Sequence, residues 1–304
     1  MNILVIGGNG FIGSHLVDKL LVKGHTVRVF DIIYEKYRKP LRKVDYRVSS
    51  LENKEELAES LLGIELVFHL ASSTVPSTSN LDPKSDIRNN LLTTVELLEI
   101  ISRQKIKRFV YFSSGGAVYG NPIANPINEE HPLNPISSYG IIKAAVEKYI
   151  YLFNRTHDFH PLVLRPSNPF GPRQGHFLAQ GFISTALRKI KLKESINIYG
   201  NGTSTKDYIY IDDLIEATYL LGMSKAVGSY NVGSGTCVSL NDLLEIMSNI
   251  TGIVPQVNYL RKQDYDVDHF TLDITKATKY IRWEPITSLE NGIKKLWDWI
   301  NKNE

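Results

Sequence analysis

Residues 3–13 read Ile3-Leu4-Val5-Ile6-Gly7-Gly8-Asn9-Gly10-Phe11-Ile12-Gly13, and this stretch decides the fold. Four apolar residues, two of them isoleucine and one valine, predict a short buried strand. Glycines at 7, 10 and 13 then interrupt the chain. From Phe11 to Leu21 apolar residues recur at three- and four-residue spacing, as in a helix that packs one face on a sheet. A glycine turn between strand and helix lets backbone approach a pyrophosphate at the helix N-terminus, where unpaired N–H groups favour an anion. A glycine motif alone is weak evidence. It gains force from Asp31, which ends the second apolar run 18 residues beyond Gly13, where a carboxylate can accept hydrogen bonds from an adenosine ribose diol. The same charge repels a 2′-phosphate, so NAD is expected rather than NADP. Arg38 is the nearby residue that leaves NADP open.

Working outward, short β-branched runs at Thr26 to Phe30, Leu66 to Leu70, Phe109 to Phe112 and Leu162 to Leu164 alternate with helical patterns at Lys54 to Leu62, Ile87 to Ser102 and Tyr139 to Phe153. That alternation is the mark of a parallel sheet with helices on both faces. After Arg165 the texture changes, with Pro166, Pro169, Gly171 and Pro172 in quick succession. Helical patterns then follow at Phe177 to Ile190, Leu214 to Leu221, Leu240 to Ile250 and Leu289 to Ile300. The expected architecture is α/β, a Rossmann-type doubly wound parallel sheet with a smaller C-terminal α/β substrate domain. Residues 1–165 form the NAD-binding domain and 166–304 the substrate domain, some segments of which return to the first.

Composition sets bounds on function. The 304 residues carry 35 basic and 32 acidic side chains, a net charge of +3, without a broad basic stretch, so nucleic acid is not the expected partner. The opening six residues lack a basic leader and meet glycine too soon for a membrane span, and one cysteine, Cys237, suits a reducing cytoplasm. The eight histidines show no metal-ligand spacing, and no metal is expected. His69, inside a strand run, reads as a hydrogen-bonded core histidine.

Tyr139 and Lys143 stand one helical turn apart, on one face of a helix that opens after Ser137-Ser138. The pair follows a strand ending in Phe112-Ser113-Ser114-Gly115-Gly116-Ala117-Val118-Tyr119-Gly120, and the carboxyl ends of parallel strands are where ligands sit. A tyrosine acting as a base near neutral pH needs its pKa lowered from about 10. A lysine ammonium within roughly 4–6 Å and a positive nicotinamide ring together supply that, so the pair makes chemical sense beside NAD⁺.

With these features in order, the chain resembles the extended short-chain dehydrogenase/reductase family, in its nucleotide-sugar epimerase and dehydratase branch. Further matching landmarks are Phe68-His69-Leu70-Ala71, Leu164-Arg165-Pro166-Ser167-Asn168, Asp207-Tyr208-Ile209-Tyr210-Ile211-Asp212-Asp213, Tyr230-Asn231-Val232-Gly233 and Trp283-Glu284-Pro285. The resemblance implies that Gly7, Gly10, Phe11, Ile12, Gly13 and Asp31 hold NAD. It also implies that Leu70 and Ala71 line the cofactor groove, with Asn90 hydrogen-bonded nearby. Tyr139 becomes the general base and Lys143 the group that tunes it and holds the nicotinamide ribose. Asn168 and Arg261, with Lys206 where an arginine is common, are expected on the nucleotide diphosphate. The hydroxyl usual three residues before Val118 is missing at Gly115, which leaves Ser114 as the nearest replacement, and Ser50 stands where an acid often meets adenine. The family commonly forms a homodimer through the helices expected at 87–102 and 139–153.

Members that eliminate water or lose carboxylate carry acid or acid-polar residues just before Val-Tyr-Gly. Here those places are Gly115, Gly116 and Ala117, so hydride withdrawal and return is the simplest chemistry. The expected activity is an NAD-dependent 4-epimerase of a small-molecule nucleotide sugar, UDP-linked. A 4-reductase or dehydratase of the same fold and a non-catalytic NAD-binding regulator are the alternatives.

Overall fold

The computed structural model describes the whole chain except residues 176–180, 263–266 and 268, and only the backbone of Pro76 and Ser77. The elements run β1 (Asn2–Ile6), α1 (Phe11–Val22), β2 (Thr26–Asp31), β3 (Val44–Val48), α2 (Lys54–Ser60), β4 (Leu66–His69), α3 (Pro76–Ser79) and α4 (Pro83–Asp86). A π-helical turn at Ile87–Leu92 leads into α5 (Thr93–Arg103), followed by β5 (Arg108–Phe112), α6 (Gly115–Val118), α7 (Ser138–Thr156) and β6 (His160–Pro166). Beyond these come β7 (Asn168–Phe170), α8 (Phe182–Leu192), β8 (Ile196–Tyr199), β9 (Thr205–Lys206), β10 (Tyr208–Tyr210), α9 (Ile211–Met223) and β11 (Gly228–Val232).

One seven-stranded sheet, in the order β11-β6-β5-β4-β1-β2-β3, organises the first half. The pairings from β3 across to β6 are all parallel. Its central strands are buried on both faces; every residue of β4, and all of β1 except Asn2, is buried, which explains the continuous apolar runs. The strand order reverses beside β1, whose neighbours are β2 and β4. Such a switch point opens a crevice at the carboxyl ends of the strands. The glycine loop leaves β1 there, and Leu70 and Ala71 leave β4 beside it.

The strands at the two edges were not legible. In β3 the apolar residues Val44, Tyr46 and Val48 alternate with Asp45 and Arg47, and most of the strand is half-buried, as an edge allows. At the other edge stands β11, more than 60 residues beyond β6 in the chain.

The chain forms two compact units. The first comprises residues 1–120, 132–165 and 215–230; the second 121–131, 166–214 and 231–304. Residues 215–230 thus fold with the first unit and 121–131 with the second. In the second unit, small sheets pair β10 with β7 and β13 (Val257–Leu260) with β8, and β9 lies between β12 (Val238–Ser239) and β14 (His269–Phe270). Helices α10 (Leu240–Thr251), α11 (Thr275–Ile281) and α12 (Leu289–Asn303) complete it. Asp207 is its polar hub. Fully buried, its carboxylate accepts from the Ser234 N–H and hydroxyl (2.9 Å each) and the Leu272 N–H (3.2 Å). Tyr208 and Tyr210, in β10, are also buried. The expected helix at 177–190 is seen from Phe182; its first part touches residues outside those described.

Candidate active site

Gly7 has φ +83°, and a Cβ there would lie 2.7 Å from the Ala71 nitrogen. A Cβ on Gly13 would lie 2.1 Å from the Gly7 oxygen, so only glycine lets α1 start this close to β1. The first turn of α1 has no side-chain cap and no acidic residue, leaving its N–H groups for an anion. Asp31 accepts from the Asn9 N–H (2.9 Å) and the Ile33 N–H (3.2 Å), and Asn9 Nδ2 donates to the Ile33 carbonyl (2.7 Å). Asn9, which the sequence reading passed over, therefore pins the glycine loop to the end of β2. Burial raises the Asp31 carboxyl above its ordinary range, against the pull of these N–H bonds. Arg38 donates to Asp18 and lies 3.3 Å from Glu35, so two carboxylates already engage the guanidinium that left NADP open. The cradle of glycines and the ribose carboxylate thus fit NAD.

Helix α7 begins at Ser138, capped by the Ser137 hydroxyl on the Gly140 N–H (3.2 Å), and it points Tyr139, Lys143 and Glu147 along one line. Tyr139 is partly buried and hydrogen-bonded to the Ser114 side chain, so Ser114 reaches the phenol that Gly115 cannot serve. Lys143 is buried; its Nζ donates to the Phe112 carbonyl (2.7 Å) and lies 5.6 Å from the Tyr139 ring centre and 4.8 Å from that of Tyr111. Desolvation lowers the ammonium to about 8, partly offset by Glu147 and Asp86.

Burial dominates the pKa of Tyr139. Burial pushes the phenol up to about 12, the Ser114 bond pulls it down, and the charge of Asp86 pushes it further up. Desolvation disfavours the phenolate more strongly than the Ser114 hydrogen bond favours it.

Beneath the pair lies a buried network that sequence reasoning missed. Glu147 accepts from Arg165 (2.5 and 3.1 Å) and from the Ser113 hydroxyl (2.5 Å), and Arg165 also donates to the Tyr119 hydroxyl (2.9 Å). The spacing of Tyr139, Lys143 and Glu147 was the available signal. Asn90, in the π-helical turn, accepts from the Ser73 N–H (2.8 Å) and donates to Asp86 (2.8 Å), so it holds the loop after β4. His69 bonds the Thr94 hydroxyl (3.0 Å), and burial lowers it to about 3, as befits a neutral core histidine.

In the second unit, Asn168 Nδ2 donates to the Asp207 carbonyl (2.9 Å), the Lys206 ammonium donates to the Val267 carbonyl, and Arg261 is exposed. Among the described residues no three acidic, histidine or cysteine side chains cluster as metal ligands would, and no helix is long and apolar enough to cross a membrane.

A parallel sheet with a glycine cradle at its switch point, facing a tyrosine and lysine one turn apart, defines an enzyme of the dinucleotide-dependent short-chain dehydrogenase type. The chain belongs to the NAD dependent epimerase/dehydratase family, whose model matches residues 3–233, and NAD is its cofactor. It is 36% identical to the UDP-glucose 4-epimerase of Thermotoga maritima, solved with UDP-glucose, with 99% of each chain covered and a TM-score of 0.94. The UDP-glucose 4-epimerase of Mycolicibacterium smegmatis is 31% identical over 313 residues, with both chains covered in full. That of Thermus thermophilus, solved with NAD, is 29% identical, fully covered, with a TM-score of 0.94.

Proposed function

We propose that the protein is a 4-epimerase of a nucleoside-diphosphate sugar, with UDP-hexose or UDP-N-acetylhexosamine as substrate. The observation that carries this is the Ser114 bond to Tyr139 beside three small residues, Gly115, Gly116 and Ala117, where no acid stands to drive elimination. In this reading Gly7, Gly10, Phe11, Ile12, Gly13, Asp31, Leu70 and Ala71 hold the cofactor, and Asn90 fixes the loop beside it. When bound, NAD⁺ supplies the acceptor and donor of the C4 hydride and a positive charge that favours the Tyr139 phenolate.

Tyr139 takes the proton of the C4 hydroxyl as that carbon is oxidised and gives it back once the sugar has turned its other face. The Ser114 hydroxyl holds the reacting oxygens in line, and Lys143 keeps positive charge under the phenol. Between the two proton transfers the ketone must rotate while its nucleotide stays anchored. Asn168, Lys206 and Arg261 are the proposed anchors, and the small side chains at 115–117 leave the sugar room.

A homodimer in a reducing cytoplasm completes the reading, supported by the exposed Ile141, Tyr149 and Leu152 along one face of α7. The test is incubation of the purified protein, without added NAD, with UDP-glucose, UDP-N-acetylglucosamine and UDP-glucuronate. Conversion of one to its C4 epimer is expected, and Tyr139→Phe should cut turnover by about 10²–10⁴-fold. A demand for one NADPH per product, or an undiminished Tyr139→Phe variant, overturns the assignment.

A further inference from the structure

Asp86 lies outside every motif the sequence singled out, yet its side chain is wholly buried. One carboxylate oxygen accepts from Thr74 Oγ1 (2.7 Å) and Asn90 Nδ2 (2.8 Å), the other from Ser138 Oγ (2.7 Å). Ser138 is the first residue of α7 and precedes Tyr139. The segment before Asp86 reaches the same helix end twice more. Asn80 Oδ1 accepts from the Ser138 N–H (2.8 Å), and Ser79 Oγ accepts from the Tyr139 N–H (3.0 Å). Two first-turn N–H groups of the helix bearing the Tyr-Lys pair are thus capped from about 60 residues earlier in the chain. On its other side the same carboxylate holds Thr74 directly and Ser73 through Asn90, in the loop that begins at Leu70 and Ala71.

We propose that Asp86 is a positioning residue for the reaction, bridging the loop after β4 to the first turn of α7 and so fixing the Tyr139 phenol relative to the cofactor groove. The proposal rests on Tyr139 being the base. A buried carboxylate without a partner cation is costly, and a neutral amide would serve a merely structural tie. The charge has a use here. The groups facing Tyr139 and Lys143 are His69 from β4, Tyr111 from β5, Ser114, Glu147 and Asp86. Both carboxylates raise the ammonium, Glu147 more strongly although it is paired with Arg165, and of the two Asp86 alone also acts on the phenol. It raises the phenol and the ammonium together.

The experiment uses the full-length NAD-loaded protein, the UDP-sugar that the parent epimerises, and the variants Asp86→Asn, Ser138→Ala and Tyr139→Phe. Asp86→Asn removes the charge and keeps the shape. Its kcat should fall about tenfold with KM little changed, as a displaced catalytic group requires. Both limbs of its pH profile should move to lower pH, because phenol and ammonium each lose the charge that raised them. Ser138→Ala cuts the bridge but leaves the charge. It should lower kcat while the limbs stay in place, and hydrogen exchange should quicken in peptides spanning residues 137–144. Parental pH limbs in Asp86→Asn, or parental exchange in Ser138→Ala, overturns the proposal. Should Asp86→Asn fail to fold, Ser138→Ala decides alone. An active Tyr139→Phe variant sinks the functional reading instead, while the exchange data still report on the bridge.

Discussion

The candidate groups of the first unit are tied into one another, whereas those of the second hang on a scaffold that is not itself part of the candidate set. Tyr139 bonds Ser114, Lys143 bonds the end of β5, Asp31 bonds the glycine loop, and Glu147 with Arg165 underlies them. In the second unit the hub is Asp207. Asn168 bonds only its backbone, Lys206 turns to the Val267 carbonyl, and Arg261 faces solvent. Proton chemistry needs groups held in line before substrate arrives, while an anchor for a diphosphate needs charge within reach. The two units should therefore answer mutation differently.

The largest expected effect is Glu147→Ala. It leaves Arg165 buried without its carboxylate and should cost about 3–5 kcal/mol of folding stability, read as a drop in denaturation midpoint. A loss as small as that of Asn168→Ala, about 0.5–1.5 kcal/mol for one hydrogen bond, would erase the contrast between the units.

Next is a dependence on pH. The folded state lowers the Lys143 ammonium from 10.5 to about 8. Below pH 8 the buried charge therefore weakens the fold. As pH rises from about 8 to 10.5 the folded protein sheds this proton before the unfolded chain does, and the penalty fades. Lys143→Met carries no such penalty. Its stability relative to the parent should decline across that window by about 3 kcal/mol. A gap that stays constant with pH means that the fold does not lower the Lys143 ammonium.

Gly13→Ala should cost about 1–3 kcal/mol and weaken NAD retention, because the new methyl meets the Gly7 carbonyl. Retention of NAD at the parental level would show that the turn gives way, and that the spacing of glycines matters less than their place after β1.

These residues also show what a sequence can disclose. The glycine loop, Asp31 and the Tyr139-Lys143 pair were legible because each rests on local spacing within one strand, turn or helix. Asp86 and Asn9 were not, since the roles depend on ties from Asp86 to Thr74 and Ser138, 12 and 52 residues away, and from Asn9 to Asp31 and Ile33, 22 and 24 residues away, that no periodicity brings together. The replacement of Gly115 by Ser114 was legible only as an alternative, because a one-residue shift of a loop has no sequence signature. How far burial raises the Tyr139 phenol was not legible, because spacing places a lysine near a tyrosine but gives no measure of how much water the fold removes from it. The edge strands β3 and β11 escaped because half-buried strands lack the long apolar runs that marked the centre of the sheet.

The smallest effect on stability, and the one that most sharpens the comparison, belongs to Arg261→Ala. Arg261 is exposed, and no bond holds it among the described residues, so its removal should change folding stability by no more than about 0.5 kcal/mol. A guanidinium on a diphosphate makes charge-assisted hydrogen bonds worth about 1.5–3 kcal/mol, so the same variant should raise KM about 10- to 100-fold with kcat nearly intact. Lys206 differs from it in one respect. Its ammonium already serves the Val267 carbonyl, so Lys206→Met should lose both stability and affinity. If Arg261→Ala left KM unchanged while Lys206→Met raised it, the anchor would belong to the scaffold after all. The second unit would then be interlocked in the manner of the first.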